Sequence, residues 1–259
     1  MTTAASPSNK TAKIAELVQL RRQPNAGTRQ DGYSRDYRRI EEFHDGFYDQ
    51  HGWLSPWTVS ACNVDSELMI VGQDWASEDF LSKEPDSRMR ALGHDPALAT
   101  NRNLKRLLHE AFGRGFESTF ATNAFVFAKP GGMNTRLPAA DVALSANRFT
   151  LREIGIIRPK MVICLGMGTF NGLRAALNCR PVTLQEINYA GPALVHHGSE
   201  IHGVPHVGAR GLSATGGYDR SLAIWKMLAA RLDRSSFHSA TSLSSEWIKT
   251  ETISDSSGA

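Results

Sequence analysis

Apolar and polar residues follow two different rhythms along the middle of the chain. Short apolar runs that end on glycine or a polar residue occur at 67–71, 118–127 and 160–165, and they predict strands. In longer stretches the apolar residues lie three and four positions apart, as Leu104, Leu107 and Leu108 do, and this spacing predicts helices. Strands and helices therefore alternate along the sequence.

This alternation predicts the fold class. The predicted helices cover 36–50, 101–113, 139–157, 168–177 and 218–232, and further short strands are expected around 193–196 and 203–208. A chain in which strands alternate with helices is typical of an α/β protein. We expect a three-layer α/β/α fold with a mainly parallel central sheet, whose ligands bind at the carboxyl ends of its strands.

The two ends of the chain differ from its middle in composition. Residues 1–35 are polar and basic and are expected to form a flexible arm, whereas 36–232 should form the folded domain and the Ser/Thr-rich segment 233–259 should be disordered. Residues 1–39 hold eight Lys/Arg against three acidic residues. This excess suits a polyanionic partner, although a solvated tail explains it equally well.

Composition argues against several classes of protein. The three cysteines, Cys62, Cys164 and Cys179, are far apart and form no C-x-x-C pair, so we expect no disulfide framework, metal or cofactor. No segment reaches the roughly 18 uninterrupted apolar residues that span a bilayer, and the first residues lack a secretory signal. We therefore expect a soluble, cytoplasmic monomer with no membrane partner.

Three polar motifs occur where predicted strands end. They are Gly72-Gln73-Asp74-Trp75, Thr122-Asn123 with Lys129-Pro130-Gly131-Gly132 beyond it, and His206. Each has an ordinary structural explanation when taken singly, because Asp and Asn commonly cap turns and a lone His is often structural. Their occurrence at successive strand ends predicts that they converge at one edge of the sheet.

The order of these motifs resembles the uracil-DNA glycosylase superfamily over roughly residues 66–232. Gly72-Gln73-Asp74 is similar to the opening of the family 1 motif G-Q-D-P-Y. The run TNAFVFAKPGGMNTRLP, followed by IIRPKMVICLG, resembles the family 4 pattern T-N-x-x-K-x-R-P-x-x-N-R-x-P and its later I-R-P-K-x-x-x-x-L-G. His206 followed by Leu212-Ser213-Ala214 resembles the motif H-P-S-P-L-S.

The resemblance implies a uracil-DNA glycosylase-like fold and a monofunctional glycosylase that hydrolyses the N-glycosidic bond of uracil, or a related deaminated base, in DNA. Cleavage builds positive charge on the sugar and negative charge on the base, which suits a carboxylate and a hydrogen-bond donor. By resemblance Asp74 and His206 are the catalytic residues, and Asn123 reads the flipped base through its amide.

The resemblance also implies the remaining contacts. Base binding is expected from Gly72, Gln73, Asn123, Trp75 and Phe80, with Phe125 as another candidate stacking residue, and DNA binding from Lys129, Arg210, Leu212 and Ser213. Leu212 corresponds to the residue that wedges into the duplex. The expected partner is DNA that contains uracil or another deaminated base.

Two other readings are open. Val207-Gly208 follows His206 where the motif has Pro-Ser, so the chain could be a superfamily member that binds nucleic acid or a base without cutting. In addition, Gly166-Met167-Gly168 lies between a predicted strand and helix, with Glu186 about 20 residues on, as in a nicotinamide enzyme.

Overall fold

The computed structural model describes residues 9–49, 52–189 and 193–250, with side chains described as far as 234. Its centre is a five-stranded sheet in the order β2-β1-β3-β5-β4. The strands are β1 (Leu68–Gly72), β2 (Phe120–Asn123), β3 (Met161–Leu165), β4 (Leu194–His196) and β5 (Ser199–Val204). Only β4 runs antiparallel to its neighbour. The expected α/β fold with a mainly parallel central sheet is confirmed.

Helices surround this sheet. They are α1 (Asn9–Arg21), α2 (Glu78–Leu81), α3 (Ser87–Leu92), α4 (Ala99–Phe112), α5 (Ala139–Ser145), α6 (Leu151–Ile157), α7 (Met167–Ala176), α8 (Ala209–Ala214) and α9 (Tyr218–Thr250). A π-helical segment, Ala146–Thr150, joins α5 to α6. Short 3₁₀ helices occur at Arg29–Asp31, Ile40–Glu42, His44–Gly46, Pro56–Ser60, Phe116–Ser118 and Leu184–Glu186. The longer predicted helices therefore form, apart from the one at 36–50.

Alternate residues of β1 supply the two layers of the core. Leu68 and Ile70 belong to a cluster with Leu104 of α4 and Trp225 of α9, whereas Met69 and Val71 pack with residues of α5, α6 and α7 on the opposite face. Every residue of β1 is buried, as expected of a central parallel strand covered on both faces. Burying each of these side chains contributes roughly 1.5–3 kcal/mol.

The N-terminal segment is part of the domain, so the expected flexible arm is wrong for residues 9–35. Ile14, Leu17 and Val18 form a buried stripe on α1. Arg21, only 1% exposed, donates to the Leu54 carbonyl at 2.6 Å and to Asp49 at 2.7 Å. The apolar stretch is short, but its helical spacing gives it one continuous face to bury. Residues 1–8 lie outside the described part.

The helix predicted for 36–50 is also wrong. Two 3₁₀ turns, Ile40–Glu42 and His44–Gly46, occupy this segment, and the backbone is left-handed at His44, Asp45 and Gly46, with φ of 48°, 51° and 79°. A right-handed helix cannot pass through such residues. The break still leaves Phe43 buried in a cluster beside the cavity described below.

Two boundaries differ at the C-terminal side. Strand β5 begins at Ser199 rather than around 203, directly after a turn at Gly198 that pairs it with β4. The backbone of α9 is helical as far as Thr250, within the segment 233–259 that was expected to be disordered. Residues 251–259 lie outside the described residues. No helix in the described ranges is long and apolar enough to cross a membrane.

A buried carboxylate lies behind β2. Glu153 of α6 is fully buried, and neither of its side-chain oxygens has a hydrogen-bond partner among the residues the structure describes. Burial raises the pKa of Glu153 to about 8, since the neighbouring Thr122 and Arg21 offset the desolvation only in part. Glu153 is therefore mainly protonated in the folded protein at neutral pH.

This raised pKa predicts a pH-dependent stability. The unfolded chain releases the Glu153 proton near its ordinary pKa of 4.5, whereas the folded protein holds it until about 8. The contribution of this group is thus fully present below about 4.5 and is lost as the pH rises through 8. Relative to Glu153→Gln, the wild type should lose up to a few kcal/mol of unfolding free energy between pH 5 and 8.5, measured by urea denaturation.

Glu67→Gln is the matched control. Hydrogen bonding to Lys160 lowers the pKa of Glu67, so its contribution is present at neutral pH and is lost only on acidification. The Glu67 variant should therefore show no relative gain as the pH rises. Parallel curves for wild type and Glu153→Gln over this range would contradict the prediction.

Candidate active site

A cavity of about 530 Å³ opens at the carboxyl ends of β1, β2, β3 and β5. Eight of the twelve candidate residues predicted from the sequence line it, namely Gly72, Gln73, Asp74, Trp75, Phe80, Asn123, Lys129 and His206. A cavity of this size suits a small organic ligand or an extruded nucleotide base. The expected convergence of the three motifs at one edge of the sheet is therefore observed.

The floor of the cavity depends on the glycine that ends β1. Gly72 pairs with Asn123 across the parallel β1–β2 ladder. A Cβ at position 72 would lie 2.7 Å from the Asn123 amide nitrogen and 3.0 Å from the Trp57 ring. Only glycine allows the amide and the indole to lie this close to the strand, so Gly72 shapes the space that a ligand would enter.

A buried serine sets the orientation of the Asn123 amide. The Ser55 hydroxyl accepts the Trp57 N–H at 3.1 Å and donates to Asn123 Oδ1 at 2.5 Å. Ser55 and Asn123 are both almost completely buried. Because the hydroxyl donates to it, the amide atom that faces Ser55 is the oxygen Oδ1. The Nδ2 hydrogens are left for a ligand, and the second lone pair of Oδ1 can still accept a hydrogen bond.

Ser55 is a site residue that sequence reasoning missed. Ser-Pro at 55–56 is a signal for the start of a helix, and Ser55 does cap the 3₁₀ helix Pro56–Ser60. The local sequence carries no sign that the same hydroxyl reaches Asn123, which lies 68 positions further along the chain.

Asp74 forms a buried ion pair with Lys129. The Lys129 Nζ lies 2.9 Å from Asp74 Oδ2, and the side chains are 6% and 7% exposed, respectively. The same ammonium donates to the Met133 carbonyl at 2.6 Å. Lys129 was expected to contact DNA, but its ammonium is buried and already engaged, so it belongs to the cavity rather than to an outer surface.

Backbone pairing explains why the two charged side chains meet. The Lys129 N–H donates to the Ala76 carbonyl at 3.0 Å, and the Lys129 carbonyl accepts from the Glu78 N–H at 2.8 Å. Lys129 is thereby fixed beside the segment that follows Asp74. Burial raises the pKa of Asp74, and the Lys129 ammonium opposes this rise by favouring the charged carboxylate.

The loop after β5 fixes the tautomer of His206. The Gly208 N–H donates to His206 Nδ1 at 3.0 Å, so the neutral ring carries its hydrogen on Nε2. Desolvation lowers the pKa of His206, although the charge of Asp74 opposes this shift. At neutral pH the cavity is therefore lined by an imidazole that can donate one hydrogen bond through Nε2.

The candidate aromatic residues divide into two groups. Trp75 and Phe80 line the cavity, and the Trp75 Nε1–H donates to the Gly93 carbonyl at 2.9 Å. Phe125 instead lies fully buried with Tyr37, at a ring-centroid distance of 4.8 Å, in a separate cluster. A stacking role for Phe125 is thus inconsistent with its position.

The three remaining predicted residues lie on α8, outside the cavity lining. Arg210 is exposed and contacts the Asn134 side chain at 3.3 Å, and Ser213 is also exposed. Leu212 is only partly exposed and does not line the cavity.

The glycine-rich turn after β3 belongs to the same cavity. Gly166 and Gly168 line it, and a Cβ at Gly168 would lie 2.7 Å from the Gln73 amide nitrogen. Glu186 does not line it, because its carboxylate caps Thr183 and pairs with Arg180 at 2.8 Å. This placement disfavours the nicotinamide reading, in which Glu186 would bind a ribose.

Comparisons with known proteins supply no family for this chain. A scan against models of known protein families finds no match, and a search of curated proteins also finds none.

Within the described residues, no group of three or more His, Cys, Asp or Glu side chains could hold a metal ion.

The buried ion pair predicts how Asp74 titrates. Replacing Lys129 with Met removes the cation 2.9 Å from the carboxylate but leaves the carboxylate buried, so the pKa of Asp74 should rise above its wild-type value. Carboxyl ¹³C NMR titration, with Asp74→Asn to assign the resonance, measures the change. Lys129→Arg keeps the charge and should shift the pKa less. An unchanged pKa in a folded Lys129→Met protein would contradict this prediction.

Proposed function

We propose that this protein is a DNA glycosylase that hydrolyses the N-glycosidic bond of uracil, or of a related deaminated base, and leaves an abasic site. The observation that carries the proposal is the meeting of Asp74, Asn123 and His206 in one cavity at neighbouring strand ends. The resemblance of their motifs to the uracil-DNA glycosylase superfamily supplies the reaction, and the geometry is consistent with it.

Base recognition would fall to Asn123. Uracil presents a donor at N3 and an acceptor at O4, whereas cytosine presents the reverse pattern. The Asn123 Nδ2–H would donate to O4, and its Oδ1, which already accepts the Ser55 hydroxyl, would accept N3–H with its second lone pair. Ser55 then acts as a positioning residue that keeps the amide in the orientation suited to uracil.

Bond cleavage would use two ionisable groups that line the cavity, Asp74 and His206. The ionised Asp74 carboxylate would stabilise positive charge on the sugar and orient a water for attack on C1′. The neutral His206 ring would donate its Nε2–H to the base oxygen on which negative charge develops. The glycosidic electron pair leaves with the base, the water supplies the hydroxyl at C1′, and the proton that the water loses ends on the departing base.

A second candidate function is binding of a base or of nucleic acid without cleavage. It is favoured by one observation, the ion pair between Asp74 and Lys129, because a cation 2.9 Å away reduces the field that Asp74 exerts on a cationic sugar. Cleavage of labelled uracil oligonucleotides, with alkali to reveal abasic sites, separates the two functions.

Substitutions of the two proposed catalytic groups should slow cleavage without unfolding the protein. Removing one charge-stabilising group typically costs on the order of 10²–10³ in rate. We expect Asp74→Asn and His206→Ala each to lose about this factor in single-turnover cleavage, with DNA affinity retained. Lys226→Ala, at an exposed position on α9, is the control and should cleave at the wild-type rate. Near-normal rates in both folded site variants would refute the assignment of the site.

The Ser55 contact predicts a specific loss of base selectivity. In Ser55→Ala the Asn123 amide is no longer held by a hydroxyl and can rotate, so the ratio of uracil to cytosine cleavage should fall, by about 10-fold for one hydrogen bond worth roughly 1.4 kcal/mol. Thr58→Val removes a buried hydroxyl from the 3₁₀ helix that Ser55 caps. Within the described part of the chain, this hydroxyl donates only to the Ala121 carbonyl. The Thr58 variant should keep the wild-type ratio, and equal ratios in both variants would argue against the Ser55 role.

A further inference from the structure

Two large apolar side chains are exposed at the mouth of the cavity. Leu98 is 44% exposed and Met133 is 43% exposed, and both contribute to the cavity lining. Among the described residues only two other large apolar side chains are comparably exposed, Val195 and Met227, and neither lines the cavity. Exposed apolar surface beside a binding cavity is a mark of an interaction site.

The backbone beneath Met133 is held on several sides. Its carbonyl accepts the Lys129 ammonium at 2.6 Å, and the Thr135 N–H closes a turn onto Gly132 at 3.0 Å. The next residue, Asn134, accepts from Arg210 of α8. The Met133 side chain is therefore exposed from a fixed loop, so its ordering on binding costs little backbone entropy.

Leu98 is fixed in the same way on another segment of the cavity wall. Its carbonyl accepts the N–H groups of Asn101 and Arg102, at 3.0 and 3.1 Å, in the first turn of α4. Its own N–H donates to the Asp95 carbonyl at 3.3 Å. Two apolar side chains thus stand on two separately anchored segments around one opening.

Exposed arginines accompany these side chains. Arg102 follows Leu98 on α4, Arg136 follows Met133, and Arg210 lies on the helix after His206. None of the three pairs with a carboxylate in the part of the chain that the structure describes: Arg102 bonds the Ala97 carbonyl and Arg210 the Asn134 amide. Their charges are available to phosphates.

We infer that Leu98 and Met133 enter the base stack of duplex DNA at the place that a base vacates when it moves into the cavity, while the three arginines contact the flanking phosphates. Apolar side chains, including Leu and Met, are suited to fill such a gap between base steps. This role rests on the proposed function and moves the wedge from Leu212, which does not line the cavity, to the two residues that do.

Binding to DNA that carries an uncleavable abasic analogue tests the inference independently of catalysis. The full-length Leu98→Ala/Met133→Ala protein should bind the duplex form about 10-fold or more weakly than wild type, because each substitution removes most of an apolar contact. Binding to the same strand without its complement should change less than about twofold. Met227→Ala is the matched control and should leave both affinities unchanged.

The arginine contacts have their own readout. Each of Arg102→Ala, Arg136→Ala and Arg210→Ala should lower the slope of log affinity against log salt by about one. Equal weakening of single-stranded and duplex binding in the double variant, no weakening, or no duplex binding by the wild type would overturn the inference. A duplex-specific loss in Leu212→Ala instead would do the same. If the wild type binds as expected but never cleaves uracil DNA, the inference stands and the proposed function fails.

Discussion

The parallel pairing of β1 between β2 and β3 determines where the cavity of this molecule forms. Because the paired strands run in one direction and end at the same edge, Gly72, Asn123 and Leu165 come together although they are far apart in sequence. The absence of a side chain on Gly72 then admits the amide of Asn123. The ends of these strands thus form the floor of the cavity, and the loops that follow the strands contribute Asp74 and His206.

Charged and polar groups around this cavity are held by specific partners. Asp74 has an ammonium beside it, His206 has a backbone N–H on one ring nitrogen, and Asn123 has a serine hydroxyl on its oxygen. The ammonium favours the charged form of Asp74, the backbone N–H selects one tautomer of His206, and the serine hydroxyl holds the Asn123 amide in one orientation. These side chains are therefore held in place before a ligand binds.

The spacing of apolar residues along the sequence predicted those strands and helices whose apolar side chains are buried together. The continuous apolar runs of β1 and β3 and the helical spacing in α4 locate the sheet and one of its covering layers. Motif order likewise predicted eight of the residues that line the cavity. The ion pair of Lys129 with Asp74 was not predictable, because it depends on backbone pairing between separate loops. Helix α1 was not predicted, because its apolar stripe is short.

The two contacts of the Lys129 ammonium have a thermodynamic consequence. The same ammonium contacts both the Asp74 carboxylate and the Met133 carbonyl, so breaking either contact changes the free energy of the other. A ligand that moves the Met133 carbonyl away from Lys129 changes the pKa of Asp74. By the same amount of free energy, protonation of Asp74 changes the strength of the Lys129–Met133 contact. Ligand binding at the cavity rim and the pKa of Asp74 are therefore thermodynamically linked.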